Sequence, residues 1–139
     1  MTTTDVEQLV REAVVTILEA DAPLITLMGG TARVVDRGTL GPDVAFPCLV
    51  YDVQDFNEAT GQMTLLLTGL DTTQATAPSV ARHLVKAAAD ALTQTAFAGQ
   101  GMQVAPSDRR MVNVDEAGLI EIGNPNLRQA DSLVPLLVA

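Results

Sequence analysis

The chain is poor in aromatic residues, cysteine, histidine and positive charge, and each scarcity removes a class of function. Tryptophan is absent and aromatics make up only 3% of the 139 residues, so a core built from the 47% hydrophobic content must be aliphatic. The same lack removes the aromatic platforms on which single-stranded nucleic acids stack. A lone cysteine, Cys48, excludes an internal disulfide and every zinc pattern of paired cysteines, and it gives no sign of an oxidising compartment. Eight basic residues stand against 17 acids, for a formal charge of −9, and Arg109-Arg110 is the only adjacent basic pair. Tight binding of a phosphate backbone is disfavoured, because it needs a clustered basic footprint. The longest uninterrupted apolar run, LVPLLVA, is too short to cross a bilayer, and the acidic opening MTTTDVEQ lacks the basic-then-apolar order of a signal peptide. A single soluble domain over residues 1–139, cytosolic and without a membrane partner, is expected.

What remains is aliphatic periodicity. Thr4-Asp5-Val6-Glu7 reads as a capping box, followed by Val6, Leu9, Val10, Ala13, Val14, Ile17 and Leu18 at helical spacing. Asp21-Ala22-Pro23 interrupts that helix, LITLM adds a turn or two, and Gly29-Gly30 stops it. ARVVD (32–36) is a short strand candidate. In AFPCLVYDVQDF, Pro47 can start a strand whose Leu49, Tyr51 and Val53 share one face, opposite Cys48, Val50 and Asp52. Asn57 to Gly61 is a turn, and QMTLLLTGLD answers as the antiparallel partner, with Met63, Leu65 and Leu67 alternating against Thr64, Leu66 and Thr68. Thr76-Ala77-Pro78-Ser79 opens a second helix with Val80, Ala81, Leu84, Val85, Ala88, Ala91 and Leu92 on one stripe, ended by AFAGQG. MQVA, RRMVNV, GLIEI and SLVPLLVA follow as strands, with Pro135 placing the last at an edge or a bulge. The expected fold is α+β: a mostly antiparallel, twisted sheet with two amphipathic helices on one face, the other face left open with Val50 and Leu66 on it.

No residue set points firmly to chemistry. Cys48 and His83 are the only possible nucleophile and base of a cysteine-type pair, but the thiol sits among aliphatics and the imidazole beside Arg82 and Lys86, off the apolar stripe. A packing cysteine and a solvated histidine are the plainer reading. Asn113 to Gly118 imitates half a calcium loop, yet Ala117 stands where an oxygen ligand belongs and Asn124 where a bidentate glutamate belongs. Asp52, Asp55 and Glu58 form a small acidic group, and exposed strand and turn acids are commoner than metal or acid-base sites. Gly29-Gly30 and Gly99-Gln100-Gly101 lack the helix and lysine of a phosphate loop. No cofactor or metal is expected, and a structural or interaction protein is favoured over an enzyme.

The layout itself is recognisable. A first helix ending in LEADAPLITLMGG, a strand with an arginine (TARVVDR), a loop, the Pro-led strand FPCLVYDV, and a Thr-rich strand leading to a helix that ends ADALTQ resemble the tail-completion, or tail-terminator, family of long-tailed bacteriophages. Pro47, Val50 and Tyr51 are its most specific letters, the pattern covers most of the first hundred residues, and Cys48 and Val35 depart from it where aromatics are frequent.

The resemblance implies a non-enzymatic subunit that forms a six-fold ring with copies of itself at the head-proximal end of the tail tube. It would end tube polymerisation and offer the head-docking surface. Its partners would be the tail tube protein and a head-to-tail connector or neck protein, and its location the tail or neck of a virion assembled in the host cytoplasm. Ring closure needs two different complementary patches on each subunit. Those expected here are the uncovered sheet face and the loops 37–46, 57–61 and 106–118, with Arg37, Leu40, Asn57, Arg109, Arg110 and Met111 as candidate contacts. DNA would pass through without specific binding, repelled by lumen carboxylates drawn from Asp52, Asp55, Glu58, Asp115, Glu116 and Glu121. Two alternatives stand beside this: a head-to-tail connector or stopper ring, and, more remotely, a small cytosolic hydrolase using Cys48 and His83.

Overall fold

A computed structural model of the chain describes residues 3–39, 45, 47–54, 56–71, 80–106, 110–114 and 128–138. The elements run α1 (Thr3–Glu19), α2 (Ala22–Leu27), β1 (Val34–Asp36), a 3-10 turn (Arg37–Thr39), β2 (Cys48–Gln54), β3 (Gln62–Asp71), α3 (Val80–Ala91), α4 (Gln94–Gly99), β4 (Val104–Pro106), β5 (Arg110–Val114) and β6 (Arg128–Val138).

Helical spacing in the sequence becomes two long helices. In α1, Val10, Ala13, Val14 and Leu18 are buried, with Val6 and Ile17 packed at the margin of the core. Leu9, expected on the same stripe, is instead 40% exposed, because the buried arc is narrower than the apolar run. The helix begins at Thr3, so Thr4 lies inside its first turn and not at its cap. In α3, Ala81, Leu84, Val85, Ala88 and Ala89 are buried. The cap expected at Thr76 to Ser79 lies outside the described residues. Between the two, Asp21 caps α2 by accepting from the Leu24 amide at 3.1 Å.

The helix α4 was not expected. The Thr93 hydroxyl accepts from the Ala96 amide at 3.1 Å and starts a further short helix, which places Phe97 fully in the core and packs on β4. The glycines of AFAGQG point to a helix terminator, but most of the segment is itself helical, and Gly101, at φ 77°, follows its end.

The six strands form one sheet in the order β1-β2-β3-β6-β4, with β5 also paired to β6. β1 runs parallel to β2, and every other pairing is antiparallel. The β2–β3 hairpin has the expected alternation: Leu49, Tyr51, Val53, Met63, Leu65 and Leu67 join the core beneath the helices. Ala130, Val134 and Leu136 of β6 extend that same face. Of the two placements expected for the last strand, an edge or a bulge, the edge does not hold, since β6 is central. Pro135 is accommodated on this flank because β4 ends with Pro106 opposite Leu136 and β5 starts with Arg110 opposite Leu133, which leaves Pro135 between the two paired stretches.

One close approach sets the distance between layers. A Cβ on Gly69 would collide with the backbone carbonyl of Ala81 and crowd Val85, so α3 lies directly on the β3 backbone. The turn between β2 and β3 uses a second glycine: Gly61, at φ 76°, accepts from the Val138 amide at 2.7 Å, tying the hairpin end to the end of β6. Gly69→Ala should therefore lower stability by roughly 1–3 kcal/mol through overpacking. Urea unfolding checks this, and a midpoint equal to wild type would show that α3 is free to shift.

Candidate functional site

The helices close one face of the sheet, and the other divides into a covered half and an open half. Cys48, Val50, Thr68 and Leu70 are buried on the far face, so Val50, expected on an open surface, is packed. The open part lies along β3 and β6. Leu133 is 41% and Leu137 45% exposed, at alternate positions with the half-buried Pro135 between them. Half-buried Leu66 is in register with Leu133, and Thr64 with Pro135. Two of the three large apolar side chains that stand exposed among the described residues thus share one strip.

A polar chain runs along the border between the halves. The Thr68 hydroxyl donates to Asp131 Oδ1 at 2.8 Å and accepts from Arg37 Nη2 at 3.4 Å. Arg37, a candidate contact residue, therefore reaches from the 3-10 turn to β3 of its own subunit and is half-buried. The buried hydroxyl is satisfied on both sides, as burial of a polar group requires.

A second network closes the β2 edge. β1 pairs only with Leu49 to Tyr51, and Arg11 of α1 takes over beyond it. Its guanidinium donates to Asp36 Oδ2 at 3.0 Å, to Asp52 Oδ1 at 3.1 Å and to the Val53 carbonyl at 3.0 Å. The remaining oxygens are also occupied: Asp36 Oδ1 accepts from the Gly38 amide at 2.9 Å and Asp52 Oδ2 from Gln54 Nε2 at 2.6 Å. Burial works to lower the Arg11 pKa, but the hydrogen bond to Asp52 and the charges of Asp36 and Asp52 outweigh it and hold it above the ordinary value. Tyr51, against the same cluster, is raised by burial first and then by the charge of Asp36. Asp52, a candidate lumen acid, is thus an occupied, partly buried carboxylate.

The other candidates fall in different places. Glu58 and Asn57 are exposed in the β2–β3 turn, where Asn57 Oδ1 accepts from the Ala59 amide at 2.9 Å. Arg110 and Met111 lie on β5 in register with Leu133 and Ser132, beside the open strip. Asp55, Asp115, Glu116, Glu121, Leu40 and Arg109 lie outside the described residues, as does GLIEI. Among the described residues no group of three or more His, Cys, Asp or Glu side chains could hold a metal, and no helix is long and apolar enough to cross a membrane. Sequence reasoning missed an open groove of about 600 Å³ between α2 and α3, lined by Leu27, His83, Lys86 and Ala91 among others. No local signal marks it, because it arises only from how two helices meet.

Cys48 and His83 are not brought together. The thiol lies on the sheet face away from α3, and His83 is exposed on α3 itself. Burial pushes the Cys48 thiol up to about 12; nearby Arg33 pulls it down and Asp71 pushes it up. Such a group holds its proton throughout the neutral range and is no nucleophile there.

Two outcomes follow from this geometry. Arg11→Met should destabilise the fold by roughly 1–3 kcal/mol, because it strips two partly buried carboxylates of their charged donor; adding Asp52→Asn should recover part of that loss in urea unfolding. A change below about 0.5 kcal/mol, the range of ordinary surface substitutions, would assign the network no role in holding α1. For Cys48, a disulfide reagent at pH 8 should label the native protein at least about a hundredfold more slowly than the unfolded chain, because opening of the fold must come first. The raised thiol also fixes a pH dependence. The folded state binds this proton more tightly, so its contribution to stability is complete below the ordinary value of 9.0 and is lost as pH rises toward about 12. Cys48→Ala should flatten that part of the stability curve, and rapid native labelling would contradict the buried placement.

No family model matches the chain, and no curated protein matches it. Among solved structures, it is similar to a chain in the virion of a native gene transfer agent particle. The likeness covers 92% of both chains, with 21% sequence identity and a TM-score of 0.54. At that identity the likeness is one of fold.

Proposed function

We propose that this chain is a structural subunit of a phage-like particle, and that it forms a ring, six-fold, at the head-proximal end of the tail tube. There it ends tube polymerisation and presents the surface to which the head docks. The observation that carries this reading is the fold shared along nearly the whole length with a chain of a gene transfer agent virion. The resemblance of LEADAPLITLMGG and FPCLVYDV to tail terminators supports the finer assignment. In this reading the protein acts through its surfaces, and the alternative of a hydrolase using Cys48 and His83 is disfavoured because the thiol is buried and the histidine is exposed on the other side of the sheet. Its partners are copies of itself, the tail tube protein and a neck or connector protein, and its place is the tail or neck of the virion.

The open strip of Leu66, Leu133 and Leu137 is the first of the two patches that a closed ring requires, and the β2–β3 turn with Asn57 and Glu58 belongs to the second. Apolar burial must then overcome the mutual repulsion of subunits carrying −9 each. Purified protein added to polymerising tail-tube protein should stop tube growth and be found at one tube end by electron microscopy, with six copies per ring by native mass spectrometry. Leu133→Glu, at an exposed position that a monomer tolerates, should abolish ring formation while leaving the unfolding free energy within about 0.5 kcal/mol of wild type. Assembly should also strengthen between about 0.01 and 0.15 M salt, as the screening length falls from ~30 to ~8 Å. A protein that ignores tubes but binds heads lacking tails would be a connector or stopper instead.

Lumen carboxylates would let DNA slide without sticking. Asp52 is engaged by Arg11, so reversal to lysine is better aimed at Asp55, Glu58, Asp115, Glu116 and Glu121. The reversed ring should retain DNA in a filter-binding assay at low salt and slow ejection from assembled particles. Unchanged ejection with no retention would remove these acids from the channel.

A further inference from the structure

We draw no further inference here: the strongest candidate, the open groove between α2 and α3 lined by Leu27, His83, Lys86, Asp90 and Ala91, carries charges of both signs, and nothing in the structure shows what covers it.

Discussion

The contact of α3 with the β3 backbone at Gly69 is the constraint from which the rest of the structure follows. With no Cβ between them, helix and sheet approach closely enough for Ala81 and Val85 to meet the sheet, and the alanines at 88 and 89 continue the same small-residue packing. A chain with so few aromatics cannot fill a wide gap between layers, so a narrow one is what its aliphatic side chains can pack to interior density. Because α1 and α3 both lie on this face, the opposite face has no helix among the described residues to cover Leu66, Leu133 and Leu137. The helix-covered face is packed along its length, whereas the opposite face is buried at Cys48, Val50 and Leu70 and exposed at Leu133 and Leu137.

Charge is divided in the same way. The two carboxylates nearest the sheet edge are absorbed internally: Arg11 spans Asp36 and Asp52 and also satisfies the Val53 carbonyl that β1 is too short to reach. One guanidinium with several donors in a planar fork suits this task, where a lysine would offer a single charged point. Asp131 is likewise satisfied by Thr68. Acids such as Asp5, Glu12, Glu19 and Glu58 are exposed, so part of the negative charge faces solvent while the sheet-edge acids serve the fold.

What the sequence revealed, and what it concealed, separates along the range of the interactions. Local periodicity gave α1, α3 and both faces of the β2–β3 hairpin, because alternation and helical spacing report burial directly. Position along the chain could not report pairing partners. Pro135 allows an edge or a bulge, and sequence alone does not choose between them: β6 is central, and two strands share its flank and leave a break at that residue. Arg11 stands four residues after Glu7, the spacing of a local helical pair, yet it binds acids 25 and 41 positions away. Val50 looked open by alternation alone and is buried by tertiary cover. The candidate contacts show the same limit: Arg37 was picked out as a loop residue, and its hydrogen bond to Thr68 spans 31 positions.

The buried cysteine and the exposed leucines express one economy of placement. On the far face the sheet packs Cys48, Val50 and Leu70 at one end and leaves Leu133 and Leu137 bare at the other, so the same surface is interior over part of its length and exposed over the rest. Leaving large aliphatics in water forgoes roughly 25 cal/mol for each Å² of apolar area. That cost falls on the isolated subunit and is recovered only when the strip is covered. The helix-side core is closed by α1, α2, α3 and α4. The proposed ring would ask a small domain to keep the surface that folds apart from the surface that associates, and the one-sided helix layering of this sheet is compatible with that proposal.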